Sequence, residues 1–327
     1  MKKTLLALAV MAAAGSAQAG IELYNQDGVT VNLKGDIEVV YSNTTTESSM
    51  KQKIEDADFG FDVRYAVNDT WQVGAYWEFN GSKKTNSEVT RNGDTYVAAY
   101  HATLGSIKFG RLCTAVDDLG IGSDEAFGIS TFLDNATDEC SDEAVRYDFD
   151  NGDVYATLGF VQNKIDNKFL DNTKDVISDG NGDTYYDGRA GFRGLDNFDI
   201  SVFASQFSVE TETATHKDHT GFGSEIVFSG IENVNLAIAY YSVSSDLAND
   251  DNSVIAVAAD YTMGKWGFAA GFSAGDHDDV AKEKDTWFVN TTYGVAPNTK
   301  LYAEVGGLDQ KDVDDNLGLA IGVEASF

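Results

Sequence analysis

The chemistry-bearing residues are concentrated in the segment 112–142, which is rich in carboxylates and contains no lysine or arginine. Its acidic residues are Asp117, Asp118, Asp124, Glu125, Asp134, Asp138, Glu139 and Asp142. Its large apolar residues are Val116, Leu119, Ile121, Phe127, Ile129, Phe132 and Leu133. The carboxylates can attract cations, and an exposed loop has little use for so many apolar residues. Because long irregular connections are usually functional, we interpret the segment as an ion-attracting loop that packs against another surface.

Covalent chemistry finds little support elsewhere in the chain. His216 and His219 have no acid–base partner in reach by spacing, and no Ser/His or Asp/His pair occupies facing positions. The run 179–183 resembles the start of a calcium loop, but Thr184 replaces the glycine of position six and Ala190 the carboxylate of position twelve. The sequence therefore predicts neither an enzyme, nor a metal site, nor a cofactor.

The elements that position the acidic segment are predicted from alternation of apolar and polar residues. In 71–80, for example, Trp71 and Val73 alternate with Gln72 and Gly74. The predicted strands are 28–41, 56–68, 71–80, 94–103, 106–112, 143–149, 153–162, 183–192, 198–208, 217–229, 234–243, 252–262, 266–274, 284–293, 299–306 and 317–327. Short turns alternate with long polar loops, as in outer-membrane barrels.

The N-terminus predicts export. Residues 1–19 combine Lys2 and Lys3, an apolar stretch and an A-x-A cleavage site at Ala17-Gln18-Ala19, which together indicate a signal peptide. The alternative is a short N-terminal helix. Beyond residue 19 no stretch approaches the ~20 apolar residues of a spanning helix.

These features predict an all-β fold, a 16-stranded antiparallel transmembrane β-barrel over residues 20–327. Backbone groups in lipid must all be paired, so a membrane protein built from strands must close into a barrel. Proline, which disrupts central strands, occurs only at Pro297. A soluble β-sandwich is the alternative.

The charge balance bounds the partners. The chain has 53 acidic and 23 basic residues and a formal net charge of −30. Nucleic acid is excluded as a partner because phosphate binding needs a positive surface. The acidity either serves solubility or attracts cations to a channel.

Sixteen strands leave an aqueous lumen, and we expect the segment 112–142 to fold into it and narrow it. An ordinary external loop is the alternative.

Several runs resemble the general porins of Gram-negative outer membranes, and most closely their OmpU-like members. These are Asn25-Gln26-Asp27-Gly28, Tyr76-Trp77-Glu78-Phe79-Asn80, Ile107-Lys108-Phe109-Gly110-Arg111 and the terminal Phe327. The resemblance covers the whole mature chain. It implies a homotrimer, passive diffusion of small hydrophilic solutes, and a constriction where the third loop faces a charged wall.

The resemblance also assigns constriction residues. Asp124 and Glu125 are the nearest matches to the family's loop carboxylates, and Asp117 and Asp118 precede them. The family's opposing basic positions correspond to Asp36, Asp58, Tyr96 and a position near Cys140. Arg64, Arg111 and Arg146 remain as basic wall residues. Acids on both sides of a pore favour cations.

Cys113 and Cys140, the only cysteines, lie at the two ends of this loop. In an oxidising compartment they are predicted to form a disulfide; the alternative is two thiols too far apart to bridge.

Further expected partners are lipopolysaccharide and divalent cations at the acidic loops, and the barrel assembly machinery at Phe327. The leading hypothesis is a cation-preferring diffusion porin of the outer membrane. The alternatives are a surface adhesin or structural barrel, and a porin with one preferred substrate.

Overall fold

The computed structural model describes residues 20–46, 48–81, 91–130, 140–162, 165–166, 178–179, 184–210, 216–246, 250–313 and 317–327. The predicted signal peptide lies outside these residues. A short 3-10 helix, η1, covers Ala115–Asp118, and the other regular elements of the described residues are strands. The strands are β1 Ile21–Gln26, β2 Val29–Ser42, β3 Lys51–Ala66, β4 Trp71–Asn80, β5 Arg91–His101, β6 Gly105–Cys113, β7 Cys140–Asp150, β8 Val154–Gln162, β9 Ile165–Asp166, β10 Ser178–Asp179, β11 Thr184–Phe192, β12 Phe198–Glu210, β13 His216–Ile231, β14 Val234–Ser245, β15 Asn252–Met263, β16 Trp266–His277, β17 Lys284–Ala296, β18 Thr299–Gln310 and β19 Gly318–Ser326.

Sixteen of these strands close into an antiparallel barrel. Pairing runs in chain order from β2 to β8, passes to β11, and continues to β19. The barrel closes where β19 pairs with β2. Among the described strands, the short β9 and β10 pair with each other and lie outside the barrel sheet. The predicted fold class and strand number are therefore confirmed.

Strand β1 was not predicted, and it completes the seam of the barrel. Asp27 and Gly28 have φ values of 53° and 77° and join β1 to β2. Such positive values are what a two-residue Asp-Gly hairpin turn requires. β1 pairs with one half of β2 and β19 with the other, and Gly35 exchanges two backbone hydrogen bonds of 2.9 and 2.8 Å with Phe327. β1 and β19 thus lie end to end in one strand position.

The barrel strands have two unlike faces. One, the apolar face, carries exposed large side chains such as Ile321, which is 63% exposed. Aromatic residues lie near both ends of this face: Trp266 contacts Tyr293 (centroids 4.7 Å apart) beside a short turn, and Trp77 contacts Phe79 (4.6 Å) beside a long loop. The opposite, polar face carries the charged side chains described below. This alternation is the pattern of a lipid-facing barrel wall with aromatic girdles.

No helix among the described residues is both long enough and apolar enough to cross a membrane. Several strands extend beyond their predicted limits. β3 begins at Lys51 rather than residue 56, and β16 ends at His277 rather than 274. Backbone pairing continues there without apolar alternation, because backbone hydrogen bonds need no particular side chain.

Candidate pore constriction

The third loop, residues 114–139 between β6 and β7, is closed at its root by a disulfide. Cys113 and Cys140 are directly opposite in the β6–β7 pairing, and their sulfur atoms are bonded. The predicted bridge is confirmed, and the alternative of two separated thiols is wrong. Asp117 lies beside the two sulfurs, but bonded sulfurs cannot act as thiolate metal ligands.

Arg146 on β7 holds the same root from the side. Its guanidinium donates to the carbonyl oxygens of Cys113 (3.3 Å) and Thr114 (3.0 Å). It also donates to both carboxylate oxygens of Asp118, at 2.6 and 2.9 Å. Two residues predicted for the constriction, Arg146 and Asp118, therefore form an ion pair at the loop root.

Three carboxylates of the barrel wall bind the backbone of the loop. Asp187 on β11 accepts a hydrogen bond from the N–H of Val116 at 2.8 Å. Glu225 on β13 accepts one from Gly120 at 2.7 Å. Glu304 on β18 binds the loop tip, which we define as residues 123–128. The three residues are only 1–7% exposed, so these hydrogen bonds replace bonds to water.

Glu304 makes the most hydrogen bonds to the loop backbone of the three. Its carboxylate accepts hydrogen bonds from the backbone N–H groups of Glu125 (2.6 Å), Ala126 (3.2 Å) and Phe127 (2.7 Å). The side-chain amide of Asn290 donates a further bond at 3.1 Å. With Glu304 only 1% exposed, this is a buried anion satisfied by oriented donors, an arrangement that fixes the position of the tip.

Apolar contacts hold the loop to the same wall. Val116 and Ile121 belong to a buried cluster with Phe203 and Tyr241 of the barrel. Leu119 and Ile129 pack against that cluster, and Phe127 packs on another formed by Val40, Tyr302 and Ala320. The apolar residues of the described part of the loop thus bind it to strands, as predicted; Phe132 and Leu133 lie outside the described residues.

Five basic side chains of the polar face are paired with aspartates. The pairs are Lys34–Asp62, Arg64–Asp62, Lys108–Asp148, Arg111–Asp142, Arg146–Asp118 and Arg146–Asp148, with N–O distances of 2.6–3.2 Å. The three predicted wall arginines are all among them. Each of the five positive charges therefore lies beside a carboxylate, and the five share four aspartates.

The predicted acidic positions of the wall do come together. Asp36 and Asp58 are directly opposite in the β2–β3 pairing, and with Asp56 their carboxylate oxygens lie within 4.8 Å of one another. Carboxylate oxygens grouped in this way can attract a cation. Tyr96 lies farther along the wall, with its ring 5.6 Å from that of Tyr76.

Glu125 at the loop tip is an ion-paired carboxylate with an unusual titration. Its side chain is 9% exposed and lies 2.8 Å from the ammonium of Lys300, which also contacts Glu324 at 2.9 Å. Burial raises the pKa of Glu125 to about 7, although Lys300 opposes that rise. Asp124, its predicted partner, is exposed.

Sequence reasoning missed the residues that receive the loop. Asp187, Glu225 and Glu304 lie more than 70 residues from the backbone groups that they bind. The alternation could have indicated two of them in part, because Glu304 and Glu225 each occupy a polar-face position of an alternating strand. Which acid would meet the loop depends on strand register and on the path of the loop.

The chain is similar to known proteins over nearly its whole length. Residues 5–313 match the family model described as Gram-negative porin. The chain is 30% identical to porin-like protein H of Photobacterium profundum, with all of both chains covered. Among solved structures, OmpT of Vibrio cholerae in its trimer form has a TM-score of 0.69 at 18% identity, covering 92% of this chain and 100% of that one.

An anion-selective porin from Comamonas acidovorans has a TM-score of 0.72 at 14% identity, covering 91% of this chain and 100% of the other. These structural likenesses show the fold, and the family match shows the class of protein. The chain is therefore a member of the Gram-negative porin family, an outer-membrane channel protein rather than an enzyme.

Proposed function

We propose that this porin lets small hydrophilic solutes and ions diffuse passively through its lumen, with a preference for cations. The observation that carries the proposal is the charge arrangement of the polar face. Five of its basic side chains each lie beside an aspartate, and the carboxylate oxygens of Asp36, Asp56 and Asp58 lie within 4.8 Å of one another.

The third loop narrows this lumen. Along each strand, the residues that bind the loop alternate with exposed apolar residues. On β18, for example, Glu304 is 1% exposed, whereas Leu301 is 46% exposed. In a closed barrel the two faces are the inside and the outside. With the apolar face toward lipid, a loop bound to Asp187, Glu225 and Glu304 lies inside.

Negative charge along the path supports cation preference. Asp94 lies close enough to Asp117 of the loop for their charges to interact, and Glu78 interacts in the same way with Asp58. Rings of acidic side chains select cations in narrow pores. The fold itself does not decide the sign, since a porin of the same fold is anion-selective.

The proposal extends to the oligomeric state of the protein and to its delivery to the outer membrane. We propose a homotrimer, as in the trimer form of OmpT, export directed by residues 1–19, and delivery to the barrel assembly machinery through Phe327. Divalent cations bridging the acidic loops to lipopolysaccharide complete the proposal.

Planar-bilayer recording tests the cation preference. Under a KCl gradient the reversal potential of the intact protein should indicate K⁺ over Cl⁻. The double variant Asp124→Asn with Glu125→Gln should shift it toward zero, because two carboxylates at the loop tip are neutralised. Asp69→Asn, a matched change in an exposed short turn, should leave it unchanged. Anion preference in the intact protein would overturn the charge argument.

A further inference from the structure

A cavity of about 300 Å³ lies between the loop tip and the barrel wall. Its walls come from the ends of β2 and β18, the beginnings of β3 and β17, and Ala126 and Phe127 of the tip. These strand ends adjoin the long loops, so the cavity opens on the long-loop side of the constriction. Its volume is in the lower part of the range of small-molecule sites.

One side of the cavity is apolar and aromatic. Phe127 is partly exposed and packs on Val40 and Tyr302, and Leu308 completes this side. The ring of Phe127 lies over Gly306 and Gly318, where a β-carbon would approach it to 2.6 Å. The two glycines therefore give the ring its place beside the cavity.

The other side carries donors and acceptors of both charges. Ser42 and Thr286 contribute hydroxyl groups, and the ammonium of Lys53 lies 2.5 Å from a carboxylate oxygen of Glu55. Lys284 is a further member of this side. Glu55 pairs with Lys53, and Lys284 adds a second positive side chain, so this lining is not acid-rich, in contrast to the remainder of the polar face. Such a surface lacks the excess of carboxylates that would favour a cation, and it can bond groups that both donate and accept.

We propose that this cavity binds a neutral polyhydroxylated solute of monosaccharide size. The C–H face of the sugar ring lies against Phe127, and its hydroxyl groups bond Ser42, Thr286, Lys53 and Glu55. An aromatic surface joined to a few placed polar groups is the usual composition of a small-molecule site. The inference rests on the proposed channel, because the solute reaches the cavity through the lumen.

The position of Phe127 links binding of a solute in the cavity to the flow of ions through the constriction. The backbone N–H of Phe127 is bound to Glu304 at 2.7 Å, so the ring is carried by the anchored tip. A solute on this ring occupies space beside the constriction. We therefore expect brief, concentration-dependent reductions of the ion current when glucose is added on the long-loop side.

Single-channel recording with glucose as the probe tests the proposal, and saturation-transfer NMR on the purified protein in detergent reads binding without conduction. The variant Ser42→Ala with Lys53→Met removes two polar partners, so glucose binding should weaken about tenfold or more, at about 1 kcal/mol per hydrogen bond. Conductance without glucose should remain. Lys311→Met, an exposed lysine of the same side outside the cavity, should bind glucose as the intact protein does.

The outcomes separate this inference from the proposed function. An open channel with no glucose-dependent current reduction and no saturation transfer overturns the sugar site and leaves the porin function standing. Equal binding of glucose, glucosamine and glucuronate overturns the assignment to a neutral solute. Absence of conductance overturns the proposed function, and the NMR measurement then decides the binding site by itself.

Discussion

The substitution Glu304→Gln examines how the barrel holds the loop tip. One oxygen of Glu304 accepts hydrogen bonds from Ala126 and Phe127, and the other from Glu125 and Asn290. Glutamine keeps one acceptor and replaces the other with an NH₂ group that faces two donors. Two charge-assisted bonds are lost, at about 1.5–3 kcal/mol each, or about 3–6 kcal/mol in total.

That loss should appear as local opening of the tip. Because each 1.4 kcal/mol is a factor of ten, the protected N–H groups of Glu125 to Phe127 should exchange with deuterium about a hundred-fold faster or more. Single-channel current should become noisier, while the barrel ladder remains intact. Hydrogen-exchange mass spectrometry of the tip peptide measures the first effect and bilayer recording the second.

Glu232→Gln is the matched control, since this glutamate is exposed in a short turn. It should change neither exchange at the tip nor current noise. Unchanged exchange in Glu304→Gln would show that apolar packing of Phe127 alone holds the tip, and the argument from the carboxylate would then fail.

Two further predictions concern charge and covalent closure. Because the pKa of Glu125 is raised to about 7, lowering the pH from about 8 to about 6 should protonate it and weaken K⁺ preference at the tip that it shares with Lys300, Glu304 and Glu324. The reversal potential measures this change, and Glu125→Gln should show a smaller one. Replacing both cysteines with serine should lower the free energy of unfolding by about 3–4 kcal/mol, as expected for the 27-residue separation of the bridge. Urea titration measures it; an unchanged midpoint would contradict the estimate, and conductance should persist because Arg146 still holds the loop root.

The fold could be predicted well from the sequence because successive side chains of a barrel strand face lipid and lumen in turn, so apolar and polar residues alternate. Trp71 and Val73 alternate with Gln72 and Gly74, and this pattern placed β4 at the residues where it is found. The hairpin of β1 was missed, although Asp27-Gly28 is a strong turn signal, because the residues before the turn, Tyr24-Asn25-Gln26, interrupt the alternation.

The candidate site was less accessible to sequence reasoning. The loop, its acids and its disulfide follow from local composition. The pairing of Arg64 with Asp62 and of Arg146 with Asp118 does not, because these contacts depend on side-chain direction and on the path of the loop. Counting arginines alone therefore overstated the free positive charge of the wall.

The pairing of the basic side chains also affects solutes that have no net charge. A row of uncompensated arginines opposite a row of acids turns a dipolar molecule so that its ends point across the passage. Here Arg64 and Lys34 share Asp62, and Lys108 and Arg146 share Asp148, so the turning force on such a molecule is small. Zwitterions such as free amino acids should then cross this wall in many orientations, sorted by their bulk rather than by the direction of their dipole.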